Sequence, residues 1–114
     1  MTDTITFKGF GGIRLDAEVA GKPDDPAILL VHGAGQTRKV WREVAEGLVQ
    51  SGRRVVCLDL RGHGASEWPA DGRYEFAAHV EDLRAVLAQG LRDDGDIALL
   101  SELLSLPSTA ADLN

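Results

Sequence analysis

Apolar and polar residues change period several times along this chain, and each change marks an element. Ile13-Arg14-Leu15-Asp16-Ala17-Glu18-Val19 alternates strictly and predicts a strand with one polar face. Thr4 to Lys8 precedes it across Gly9, Phe10, Gly11 and Gly12, so the two segments are expected to pair as a hairpin. After the turn-forming stretch Gly21-Lys22-Pro23-Asp24-Asp25-Pro26, Ala27 to Val31 is apolar on both faces, as a buried parallel strand requires. From Val40 the period lengthens: Val40, Trp41, Val44, Ala45, Leu48 and Val49 fall on one stripe of a helix that Ser51-Gly52 stops. Val55 to Leu60 is the next buried strand, broken by Gly62 and Gly64. Phe76, Val80, Leu83 and Leu87 then mark a second amphipathic helix closing near Gly90. For residues 97–106 both readings stand: Ile97 to Leu100 suits a strand, whereas Leu99, Leu100, Leu103, Leu104 and Leu106 suit a short helix ending at Pro107. The final run, STAADLN, reads as a frayed end.

This order, a hairpin followed by strand, helix, strand, helix, predicts an α/β fold with parallel strands joined by right-handed crossover helices. The 114 residues suffice for one domain, and the formal charge of −6 leaves no basic cluster for gripping phosphate backbones or anionic membranes. Ala27–Val31, the longest aliphatic run, is far below the ~20 residues of a membrane-spanning helix. The opening MTDTITFKG lacks a basic segment followed by a long apolar one, so the expected location is the cytoplasm. Cys57, the single cysteine, lies inside an apolar run and is expected to fill space in the core.

In an open parallel sheet the loops beyond the carboxyl ends of the strands are where ligands bind. The loop after Val31 reads His32-Gly33-Ala34-Gly35-Gln36, whose small side chains let backbone amides project into open space. A tight strand-to-helix turn would explain the same glycines. The loop after Leu60 completes the run Asp59-Leu60-Arg61-Gly62-His63-Gly64-Ala65-Ser66, in which glycines permit a sharp turn and polar side chains can satisfy its backbone.

Taken together, a strand ending in HG and small residues and a later strand ending in D-x-R-G-x-G-x-S, here DLRGHGAS, resemble the amino-terminal half of the alpha/beta-hydrolase family over about residues 5–100. The resemblance implies that the Ala34 N–H is an oxyanion-hole donor, that His32, Gly33 and Gly35 shape its loop, and that Gly62, His63 and Gly64 line or support the pocket wall. His63 is expected to be structural, because a general base needs a nucleophile within reach. The family's nucleophile should stand on a G-x-S-x-G elbow after the fifth strand. The corresponding window, Ser101-Glu102-Leu103-Leu104-Ser105, has serine at both glycine positions and leucine at the nucleophile. Centring it on Ser101 or Ser105 places leucine or proline where glycine belongs. The triad acid and histidine normally follow the nucleophile, and little chain remains for them. His79 falls within the second helix and is expected at its surface or boundary; Asp59 is expected to hold its own turn.

Residues 1–106 therefore read as a truncated hydrolase core and 107–114 as a tail, with no catalytic residue, metal or cofactor assigned. His32, His63, His79 and Cys57 lack zinc-ligand spacing, and the acidic run Asp93-Asp94-Gly95-Asp96 fails the pattern of a calcium loop. Three functional readings follow. The chain is an inactive amino-terminal part of an esterase-like or lipase-like hydrolase, whose small-molecule substrate belongs to a full-length relative. Alternatively it is a non-catalytic binding or assembly module that associates through an exposed sheet edge. Last comes a weak hydrolase using Ser101 or Ser105.

Overall fold

The computed structural model describes residues 2–89 and 98–101. Five strands form one mixed sheet: β1 (Thr2–Lys8), β2 (Arg14–Ala20), β3 (Ala27–Val31), β4 (Arg54–Leu58) and β5 (Ala98–Ser101), in the order β1-β2-β4-β3-β5. β1 and β2 pair antiparallel as the expected hairpin, with Phe7 opposite Leu15, and β2 continues antiparallel to β4. β4, β3 and β5 run parallel, with Val31 opposite both Leu58 and Ser101. The carboxyl ends of the three parallel strands thus lie at one rim of the sheet. β5 settles the choice between strand and helix for residues 98–101; the window 102–105, the tail and the acidic run lie outside the described residues.

Alternation along β3 and β4 decides which layer each side chain joins. Ile28, Leu30, Val55 and Cys57 face α1 (Arg42–Gln50), where Trp41, Ala45, Leu48 and Val49 pack on them. Leu29, Val31, Val56 and Leu58 face the opposite layer with Phe7, Leu15, Ala17 and Val19 of the hairpin and Val86 of α2 (Phe76–Gln89). The strict period of β2 sends Leu15, Ala17 and Val19 into that core. Cys57 is buried, as expected of a space-filling thiol, and burial raises its pKa to about 11.

Two local readings need correction. The stripe on the first helix is narrower than the periodicity suggests: Val40 and Val44 are 48% and 43% exposed. A 3-10 turn over Arg38–Trp41, its start capped by the Thr37 hydroxyl accepting from Lys39 N–H, precedes α1. Because 3-10 and α segments wind at different rates, Val40 does not share the α1 face that its spacing implies. His79, expected at a surface or boundary, is only 7% exposed, and its Nδ1 has no hydrogen-bond partner among the described residues. Ala78 and Val86 on the same helix are buried with it.

Candidate active-site rim

The loop after β4 consumes nearly every polar group of the DLRGHGAS run in holding itself together. Asp59 lies just past the last ladder residue and is 2% exposed. Its carboxylate accepts from Arg38 N–H at 2.8 Å, Arg38 Nη1 at 2.8 Å and Ala65 N–H at 3.1 Å. Asp59 therefore holds its own turn, as expected, and also ties it to the segment entering α1. Gly64, at φ +51°, stands so close to this carboxylate that an added Cβ would collide with it. Ser66 Oγ donates to Asp59 O at 2.6 Å and accepts from Asp16 N–H at 2.8 Å. A serine so buried and so bonded offers no free nucleophile.

Arg61 points away from the rim into the core layer. Its guanidinium meets the Asp82 carboxylate of α2 through two bonds, Nε to Oδ2 at 2.7 Å and Nη2 to Oδ1 at 3.0 Å, with both side chains nearly fully buried. The remaining donors reach Phe10 O and Arg73 O, and Asp82 also accepts from Phe10 N–H. Such pairing and hydrogen bonding are what a buried charge requires. The pair raises the Arg61 pKa further, the Asp82 hydrogen bond being the main cause.

Two histidines cross-link the loops. His32 is fully buried; its Nε2 accepts from Leu60 N–H at 3.0 Å, while Nδ1 lies 2.7 Å from Gly33 O. A carbonyl can only accept, so Nδ1 carries the proton and the ring is neutral. Burial lowers its pKa, consistent with that form, and the 3.9 Å approach of Nε2 to Asp59 Oδ1 is not an ion pair. His63, half-buried, repeats the pattern: Nε2 accepts from Gly35 N–H at 3.0 Å and Nδ1 donates to Arg61 O at 2.9 Å. The two rings lie 5.1 Å apart, centroid to centroid.

The loop after β3 is thereby drawn tight at three amides. Gly33 N–H donates to the Gln36 side-chain oxygen at 2.9 Å, Gly35 N–H to His63, and Gln36 N–H to Gly33 O at 3.2 Å. Ala34 N–H, between them, has no partner among the described residues, and Ala34 is exposed. Gly35 takes φ +79° with nothing within 4 Å of the point where a Cβ would stand, so this side of the loop is open. The structure thus brings His32, Gly33, Ala34 and Gly35 together with Gly62, His63 and Gly64 at one rim. Sequence reasoning missed Arg38 and Asp82, each separate from the motif it serves, and gave Gln36, although quoted in its loop, no role.

A groove of about 460 Å³ lies elsewhere, between β2, β4 and α1, bordered by Glu18, Arg38, Arg42, Val49, Val55 and Cys57; residues 32–36 do not line it. No group of three or more His, Cys, Asp or Glu side chains suited to a metal occurs among the described residues. Likewise, no described helix is long and apolar enough to cross a membrane.

The alpha/beta hydrolase fold model matches residues 26–94, from the start of β3 to beyond α2. The chain belongs to the alpha/beta-hydrolase family. It is 37% identical over 70 residues to mouse (Mus musculus) protein ABHD8, a match covering 60% of this chain and 16% of that protein. Among solved structures it is similar to the thioesterase domain from the curacin biosynthetic pathway, with TM-score 0.80 and 28% identity over 89% of this chain and 35% of that one. It also resembles a Vigna radiata epoxide hydrolase mutant, with TM-score 0.78 and 27% identity over 90% of this chain and 31% of that one. The chain thus spans about a third or less of the length of these relatives. What it holds in common with those hydrolases is a partial hydrolase fold, sheet and helices included.

Proposed function

We propose that this chain supplies the oxyanion-stabilising side of a hydrolytic centre, with the Ala34 N–H as donor, and that on its own it carries no nucleophile. One observation carries the reading: the amides of Gly33, Gly35 and Gln36 are committed to partners while that of Ala34, between them, has none among the described residues. An oxyanion donor has to be held in place before charge develops and must not be consumed by the fold, and the committed amides on either side of Ala34 support this reading. His32 and Gly33 shape the loop from below, and Gly62, His63 and Gly64 support its wall. The relatives are named for thioester and epoxide hydrolysis, so hydrolysis of a small molecule is the reaction class proposed for a complete centre. The sequence holds no G-x-S-x-G elbow, which makes silence of the isolated chain the expectation.

The test joins residues 1–101 to the elbow and triad segment of an esterase of the family and follows p-nitrophenyl ester hydrolysis. Ala34→Pro deletes the donor and should lower kcat by about 100- to 1000-fold. Ala34→Gly, which keeps the N–H, should retain most activity. Equal activity in the proline variant refutes the reading. The unfused chain should show no turnover that Ser101→Ala or Ser105→Ala abolishes.

A second reading, a binding or assembly module, draws on the exposed apolar side chains Val40, Val44 and Trp68. It expects a monomer-to-oligomer equilibrium in size-exclusion chromatography that Val40→Lys with Val44→Lys shifts toward monomer.

A further inference from the structure

We propose that His63 is a positioning residue that pins the oxyanion loop only while its Nε2 is unprotonated, so that the loop is held by a neutral-histidine latch. Its catalytic meaning rests on the function proposed above; the latch itself does not.

Two hydrogen bonds fix the protonation state through their direction. Arg61 O accepts, so His63 Nδ1 must donate, and Gly35 N–H donates, so His63 Nε2 must accept. Only one of the three protonation states of an imidazole satisfies both. A proton on Nε2 sets two donors against each other at 3.0 Å, and the contact must open. Among the described residues, Gly35 N–H has no other hydrogen-bond acceptor. The released peptide is the one joining Ala34 to Gly35, immediately next to the unspent amide.

His32 shows why His63 is the member that responds. Both rings use the same tautomer and each bridges one loop to the other, but His32 is fully buried and held neutral, with burial the largest cause. His63 is half-buried at the rim. The charged and titratable groups around it come from three elements. From the loop after β3, the His32 ring lies 5.1 Å away and stays neutral. From its own loop, the Arg61 guanidinium is turned into the core on Asp82, and the Asp59 carboxylate sits under Gly64 with its oxygens engaged by Arg38 and Ala65. From α2, buried His79 is disfavoured as a cation by a charge on His63. None of these groups donates to or accepts from Nε2.

The test uses the full 114-residue chain, labelled with ¹⁵N, with the pH lowered stepwise from about 8 until the His63 ring is protonated. Long-range ¹H–¹⁵N spectra should show His63 as the Nδ1–H tautomer at high pH. The Gly35 amide exchange rate, divided by its intrinsic rate, should rise at least about tenfold with the same midpoint as the His63 ring. His63→Gln keeps an acceptor near Nε2 and should leave Gly35 protected at every pH, whereas His63→Phe should leave it unprotected at every pH. A Gly35 amide indifferent to His63 titration overturns the proposal, as does an Nε2–H tautomer or a pH response surviving in His63→Gln. If Gly35 behaves as expected while Ala34→Pro leaves the fused enzyme fully active, the latch stands and the oxyanion reading falls.

Discussion

The two loops at the rim are built from similar residues and do opposite things with their backbone. The loop after β4 carries eight residues of recognisable motif and turns its polar groups inward: Asp59 onto Arg38 and Ala65, Arg61 onto Asp82, Ser66 onto Asp59 and Asp16. The shorter loop after β3 spends its outer amides on Gln36 and His63 and leaves the Ala34 N–H without a partner among the described residues. The denser motif is therefore architecture, and under the proposed function the sparser one is where the oxyanion is held. A motif dense in polar residues can mark the clamp around a site, with the reacting surface supplied by plain backbone next door.

The largest break in this comparison should come from the clamp. Asp82→Ala strands the Arg61 guanidinium in the core and should cost about 3–5 kcal/mol in chemical denaturation, enough to unfold a marginal domain. The paired glycines sharpen the contrast. Gly64→Ala combines positive φ with a collision on the Asp59 carboxylate and should cost about 3 kcal/mol. Gly35→Ala shares the positive φ but meets open space, so about 1–2 kcal/mol is expected from backbone strain alone. Equal costs at the two positions would mean that the loops are not built differently.

A smaller effect concerns pH. Burial lowers the pKa of His32 and His79, so the unfolded chain binds protons that the folded chain refuses. Stability should then decline as pH falls below about 6.5 and level off once the folded values are passed. His79→Leu removes one of the two groups along with its unpartnered Nδ1. The urea midpoint of that variant should therefore fall less than the wild-type midpoint between about pH 7 and about pH 5.5, across the histidine range. A wild-type midpoint that rises on acidification contradicts the assignment.

Legibility in the sequence follows range. β3 is readable to the residue because a run apolar on both faces has one parsimonious home. The hairpin is readable from its alternation but with shifted ends, β1 starting at Thr2 and not Thr4, and β2 running Arg14–Ala20 and not Ile13–Val19. The end of β4 falls two residues short of its apolar run: Asp59 and Leu60 follow the strand but leave the ladder to build the turn. The exposure of Val40 is hidden by a change of helical pitch, which a single-period reading averages away. At the rim, the glycines and histidines are visible as a cluster. The amide left unspent is not, because it depends on Gln36 reaching back to Gly33 and His63 reaching across to Gly35. Asp82 carries no local signal at all; an acid on an amphipathic helix looks solvated until the fold places Arg61 beside it.

Backbone amide exchange at the rim tests the central claim most directly. At neutral pH, Gly33 and Gly35 should be protected and Ala34 should exchange near its intrinsic rate, at least about tenfold faster than its neighbours after correction. An Ala34 amide as protected as Gly33 and Gly35 would mean that it already has a partner, and the loop would have no donor to offer.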